Sequence, residues 1–162
     1  MIRALLASLL LALAGCAATG QPEPLPPVAV ATDGTVTVPY NLVINSPRIC
    51  AALAVYELAD HNDWGLRATI AATALNGYRA AERVPNCAVG VAVALTQDFS
   101  QRRWQDARDA VDAVTTGSYS ISPAACARAT TVVRLSTADP EQPPAAQARC
   151  VIYDLAFLEV SP

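Results

Sequence analysis

The chain has no lysine, one histidine, one methionine and two phenylalanines among 162 residues. All eleven basic residues are therefore arginine, and alanine is abundant; together these read as the mutational bias of a high-GC genome. His61 is the lone histidine, and no two cysteines stand at C-x-x-C spacing, so neither a zinc site nor a thioredoxin-type redox centre is expected. The hydroxyl-rich run Ser118-Tyr119-Ser120-Ile121-Ser122 has no motif that would build a Ser-His-Asp triad with that one histidine. No phosphate loop, dinucleotide fingerprint or calcium loop is present, so no cofactor is implied. Charge is also sparse: 15% of residues are charged and the formal net charge is −3. That balance disfavours nucleic acid and anionic lipid as partners.

What is present begins at the N-terminus. One early charge, Arg3, precedes an apolar stretch from Ala4 to Ala14, too short to span a bilayer and of the form of a secretory signal. No later apolar run is long enough to span one. Leu13-Ala14-Gly15-Cys16 closes the stretch and resembles the lipobox of bacterial lipoproteins. The resemblance implies cleavage before Cys16 and lipidation of its thiol and new amine; several acyl chains, at ~0.8 kcal/mol per buried methylene, give stable anchoring. Ala17 rather than aspartate follows the cysteine, which under the common sorting rule implies the outer membrane with the domain facing the periplasm. Removing residues 1–15 takes Arg3 with it and leaves ten basic against fourteen acidic residues, a formal charge near −4.

Residues 16–35 then read as a lipidated cysteine and a proline-rich tether, about 60 Å long if extended as polyproline II. Residues 36–162 read as one globular domain. Val36 to Ile44 is β-prone, with Pro39 limiting it to an edge. Ser46-Pro47 starts a helix that runs to about Asp60, and a second runs from Trp64 to Glu82. Residues 87–96 are apolar on all sides and fit helix or strand. Ser100 caps a helix over 101–116 that Gly117 ends. On it, Arg102/Asp106 and Arg108/Asp112 stand at i, i+4 and read as solvated pairs. Ser122-Pro123 starts a short turn containing Cys126; residues 130–135 read as a strand, and 150–160 as a closing strand with a bulge or break. The expected fold class is α+β: a helix-rich, lysozyme-like core of about three helices, with a small sheet from N- and C-terminal strands.

Four cysteines remain in the domain, and an even number in an oxidising compartment points to two disulfides. Of three pairings, Cys50–Cys87 and Cys126–Cys150 are expected, because each ties a helix to the segment that follows it.

Glu57 is the candidate acid. On the first helix it lies one turn from Leu53 and two from Cys50, on a face that is otherwise apolar or disulfide-bound. A carboxyl so placed has its pKa raised by desolvation, as a general acid near neutral pH requires. The alternative is a glutamate at the edge of the stripe, reaching water or an arginine such as Arg79. Asp60, Asp63 and Asp98 are candidate second carboxylates, though aspartates in such places commonly cap helices or make turns.

The segment Leu53 to Ala59, then Gly65, then Ala72-Thr73-Ala74-Leu75-Asn76, resembles the spore-cortex-lytic (SleB-type) cell wall hydrolases. Their pattern is an aliphatic-Tyr-x-Glu-Ala helix, a glycine eight residues after the glutamate, and an apolar helix ending in Leu-Asn-Arg. Pro85 to Val91, Gln97-Asp98-Phe99-Ser100 and the helix from Trp104 to Gly117 follow in the family's order. Leu58-Ala59-Asp60 stands where the family has Ala-Arg-Gly, Gly77 replaces the arginine after Asn76, Asp98 splits Gln-Phe-Ser, and the family's late histidine is absent. The resemblance implies that Glu57 protonates the glycosidic oxygen of peptidoglycan, with Asn76, Tyr78 and Gln97 as candidate sugar-binding residues. Two readings stay open: an outer-membrane lipoprotein that cleaves glycan strands, and a non-catalytic envelope lipoprotein that binds peptidoglycan or an envelope protein.

Overall fold

A computed structural model describes residues 42–96, 98–135 and 147–160, with the backbone of 29–30 and 36–37. The lipobox and most of the tether lie outside the described residues. The fold is α+β, as the pattern predicts. Four helices are present: α1 (Pro47–Leu58), α2 (Trp64–Ala80), α3 (Ala88–Thr96) and α4 (Gln101–Thr116). A 3-10 helix follows at Ala124–Arg128. Short strands β1 (Ala29–Val30) and β2 (Val36–Thr37) pair with each other. Strands β3 (Thr131–Arg134), β4 (Cys150–Ile152) and β5 (Leu155–Leu158) form an antiparallel sheet in the order β3-β5-β4.

The helix boundaries follow local chemistry. The Ile49 amide donates to Ser46 Oγ, with Pro47 at the first position of α1. Asp63 caps α2 through the Leu66 amide at 3.1 Å, and Ser100 caps α4 through the Arg103 amide at 3.3 Å. Gly117, at φ +71°, ends α4 in the left-handed conformation that glycine adopts without steric cost.

The stretch 87–96, which fits helix or strand, is a helix over Ala88–Thr96, held at its start by Asn86, whose side-chain oxygen accepts from the Ala88 and Ile44 amides. Two details differ from the expectation. Residues 36–37 join the small ribbon with 29–30, and the sheet is made wholly from the C-terminal segments. The closing strand is a hairpin: β4 turns at Tyr153-Asp154 and returns as β5. Burial explains the last point. All four β5 residues are buried, with Phe157 and Leu155 in the main core, because β5 is the central strand with neighbours on both edges.

The core is rich in alanine: Ala51, Ala52, Ala71 and Ala107 let α1, α2 and α4 approach closely, and Ile70, Val111, Leu66 and Phe157 fill the space between. Ion pairs sit across these contacts: Asp106 pairs with Arg67 of α2 at 3.3 Å, and Asp112 with Arg48 of α1 at 3.5 Å. The acids of α4 therefore brace neighbouring helices, where spacing alone suggested pairs within α4.

Both expected disulfides are formed. Cys50–Cys87 joins the start of α1 to the segment entering α3, and Cys126–Cys150 joins the 3-10 helix to β4, with Cα separations of 5.7 and 5.5 Å.

Gly77 answers to packing. A Cβ built there would stand 2.5 Å from the Thr130 carbonyl oxygen, a backbone atom that cannot swing aside. The arginine that the resembling family carries after Asn76 has no room on this backbone. Gly77→Ala is expected to destabilise by ~1–3 kcal/mol through overpacking, against a helix-propensity gain of up to ~1 kcal/mol. Urea denaturation checks the sign; a stabilised Gly77→Ala protein contradicts the close approach.

Candidate functional site

Glu57 occupies the last turn of α1, and its neighbour Tyr56 fixes that turn. The Tyr56 hydroxyl accepts from the Ser100 amide at 3.0 Å, and its carbonyl accepts from Arg103 at 2.7 Å. The same Arg103 guanidinium lies 4.9 Å from the Tyr56 ring centroid, and Trp104 meets that ring edge-on at 5.8 Å. Tyr56 thus locks the end of α1 to the start of α4. Sequence reasoning used it only as part of a motif.

Glu57 is an exposed residue. Its carboxyl group nonetheless lies against α3: Oε1 is 3.6 Å from where a Cβ on Gly90 would stand, and Leu53 Cδ2 is 2.6 Å from the same point. Glycine at 90 makes room for the Leu53 side chain, and the Glu57 carboxyl rests beside it at ordinary contact distance. Partial burial raises the Glu57 pKa above the ordinary carboxylate range. Among the described residues it has no ion pair or hydrogen bond. Arg79, the partner suggested above, is at the other end of the helix pair and donates to Asn76.

The three candidate second carboxylates differ. Asp60 pairs with Arg134 at 2.8 Å, and Arg134 also holds Asp154 at 2.6 Å. Asp63 accepts from the Leu66 amide and, at 3.0 Å, from the Tyr153 hydroxyl; these bonds pull its pKa below the usual value. Asp98 is exposed at φ +42° in the turn before α4. The Glu57 pKa is thus raised by burial and that of Asp63 lowered by its hydrogen bonds.

Of the candidate sugar-binding residues, Asn76 and Tyr78 are both on α2 but line different spaces. Both amide protons of Asn76 are spent on the Ala127 and Ala129 carbonyls, at 2.9 and 3.1 Å, and its oxygen accepts from Arg79. Asn76 therefore fastens α2 to the 3-10 helix. Tyr78 lines a groove of about 450 Å³ between α2 and β3, with Thr73, Arg83, Thr130 and Val132. Burial raises the Tyr78 pKa, and the Thr73 hydroxyl in the same groove is buried without a partner among the described residues. Gln97 lies outside the described residues. A second cavity of about 500 Å³ opens beside Ile49, Val91 and Trp104, with Arg48 and Arg108 on its walls. Glu57 lines neither space. A general acid needs a raised pKa and access to solvent, and Glu57 has both.

Among the described residues, no three His, Cys, Asp or Glu side chains gather in a way that could hold a metal ion. No described helix is long and apolar enough to cross a membrane. No protein-family model, curated protein or solved structure matches this chain.

Proposed function

We propose that the protein is an outer-membrane lipoprotein whose domain cleaves the glycan strands of peptidoglycan, with Glu57 as its acid. The observation that supports this reading most is the accessible Glu57 carboxyl with its raised pKa, held on a helix end that Tyr56 makes rigid. The carboxylic acid of Glu57 gives its proton to the glycosidic oxygen as the C1–O bond breaks, leaving an oxocarbenium-like sugar. Asp60 and Asp63 are engaged in an ion pair and a helix cap, and Asp98 stands exposed in the turn before α4, so no second carboxylate is clearly placed with Glu57. A lytic transglycosylase route therefore suits the site better than hydrolysis. The muramic acid 6-hydroxyl attacks C1, Glu57 carboxylate takes its proton, and a 1,6-anhydro end results. Digestion of purified sacculi, with products scored by mass, tests this: anhydro-muramic ends are expected, and reducing ends in their place would favour hydrolysis.

A second reading is a non-catalytic envelope lipoprotein that binds peptidoglycan or a partner protein. It is favoured by the commitment of Asn76 to main-chain carbonyls and by the separation of Glu57 from both cavities. Intact sacculi after incubation, with the protein sedimenting alongside them, would select it.

The anchoring part of the proposal rests on Leu13-Ala14-Gly15-Cys16. Cys16→Ser is expected to block maturation and move the protein out of the membrane fraction. Retention of that variant in the outer membrane after a high-salt wash would contradict lipid anchoring.

A further inference from the structure

The chain has nine tryptophan, tyrosine and phenylalanine residues, and three of them gather with the sole histidine around one carboxylate. His61 and Asp63 come from the loop between α1 and α2, and Trp64 from the first position of α2. Tyr119 follows α4, and Tyr153 is in the β4–β5 turn. The His61 and Tyr153 rings stack at 4.0 Å, and the Tyr153 hydroxyl donates to Asp63 Oδ2 at 3.0 Å. Trp64 and Tyr119 meet edge to face at 6.3 Å. Asp63 Oδ1 and the Tyr119 hydroxyl both come within 3.3 Å of the point where a Cβ on Gly65 would stand, so the two ring pairs flank the same carboxylate.

The cluster is open: Tyr153 is 55% exposed and Trp64 38%, whereas Tyr56 and Phe157 in the core are 8% and 0%. Tyr153 also stands at φ +54°, in a two-residue hairpin turn where glycine or asparagine is the unstrained choice. An exposed aromatic ring kept at a position that disfavours it points to a ligand.

We propose that His61, Trp64, Tyr119 and Tyr153 form a binding platform for β-1,4-linked N-acetylhexosamine, with Asp63 as its hydrogen-bond acceptor. The ligand class rests on the glycan reading above; the platform itself stands apart from Glu57. Pyranose rings present C–H faces that pack on aromatic faces, and their hydroxyl and acetamido groups donate hydrogen bonds. Asp63 spends two of about four acceptor positions on Leu66 and Tyr153, leaving others for such donors. Charges around the platform are balanced: Asp60 and Asp154 pair with Arg134, and Arg67, Arg102, Arg103 and Asp106 line the groove beside His61, which suits a neutral sugar over a polyanion.

The test uses the signal-cleaved protein carrying Glu57→Gln and a hexamer of β-1,4-linked N-acetylglucosamine. Trp64 is one of two tryptophans and the more exposed, so its fluorescence reports occupancy. A saturable change is expected. Tyr153→Gly removes the ring and its bond to Asp63 while relieving the positive φ; at a temperature where circular dichroism shows it fully folded, it should bind at least ~10-fold more weakly, the equivalent of ~1.4 kcal/mol. Tyr153→Phe keeps the ring and should retain most of the affinity. Equal binding by Tyr153→Gly and its parent overturns the platform, as does the absence of a saturable response at millimolar sugar. Because Glu57 is replaced throughout, the two proposals separate. Cleavage of sacculi by the wild type without hexamer binding sinks the platform alone, and hexamer binding without cleavage sinks the catalytic reading alone.

Discussion

Glu57→Gln is expected to lower muropeptide release by ~10²–10⁴-fold while leaving the fold intact. The substitution keeps the shape of the side chain beside Gly90 and Leu53 and removes the transferable proton. Its effect on stability has a definite sign. Desolvation raises the Glu57 pKa in the folded protein, so between the unfolded and folded values the native state binds more protons. Stability then falls as pH rises through that window, and glutamine abolishes this contribution. Glu57→Gln should therefore melt at or slightly above the wild-type temperature near neutral pH and equal to it in acid. The activity has the same origin. The acid form is lost as pH rises through the raised pKa, so the wild-type rate should decline on the alkaline side at a higher pH than an ordinary carboxyl would give. Release of muropeptides by Glu57→Gln at the wild-type rate would place the acid elsewhere and end the transfer of the motif.

How far the chain could be read depended on whether a feature is local. Ser46-Pro47, Ser100 and Gly117 satisfy or terminate helices through their own side chains and backbone preferences, and all three act where the sequence places them. The cysteine pairs were readable because each links neighbouring segments. The stretch 88–96 was not: it is apolar on every side, and what makes it a helix is Asn86 reaching back to Ile44. The bonds of Asn76 span more than fifty residues, so no pattern in α2 distinguishes a sugar ligand from a clamp on the 3-10 helix. The ion pairs of Asp106 and Asp112 failed for the same reason, since their partners lie on other helices.

The same limit applies to function. Helical spacing gave the direction of the Glu57 pKa shift, but not that the residue is exposed with its carboxyl toward Gly90 of α3, a contact no pattern in α1 reveals. The aromatic cluster was not legible, because His61, Tyr119 and Tyr153 meet only when three connections fold together. One signal was present in retrospect: Tyr153-Asp154 interrupts an otherwise apolar run, Val151-Ile152 and Leu155 to Leu158, at the point where the hairpin turns.

Removal of the Cys50–Cys87 bridge is expected to cost ~3–4 kcal/mol, since it closes a loop with a sequence separation of 37. For a domain of this size that is a fall in Tm on the order of 10–15 °C. The double variant Cys50→Ala/Cys87→Ala is the clean test, because alanine leaves no unpaired thiol and no buried hydroxyl at position 50, which is 3% exposed. Peptide mapping under non-reducing conditions checks the pairing itself; a Cys50–Cys126 peptide would overturn it. The bridge also reaches the acid. It pins the start of α3 to α1, and α3 carries Gly90, the surface against which the Glu57 carboxyl is partly desolvated. Loosening α3 admits water to that contact, and desolvation is what raises the Glu57 pKa. The double variant should then show its alkaline loss of activity at a lower pH than the wild type, measured well below its melting temperature. Removing Cys126–Cys150, with a sequence separation of 24, should cost nearly as much stability, because the entropy of closure changes slowly with loop length. That bridge joins the 3-10 helix to β4 and does not hold α3, so its loss should leave the pH profile in place. Equal shifts from both double variants would mean that the Glu57 pKa follows global stability and not the seating of α3.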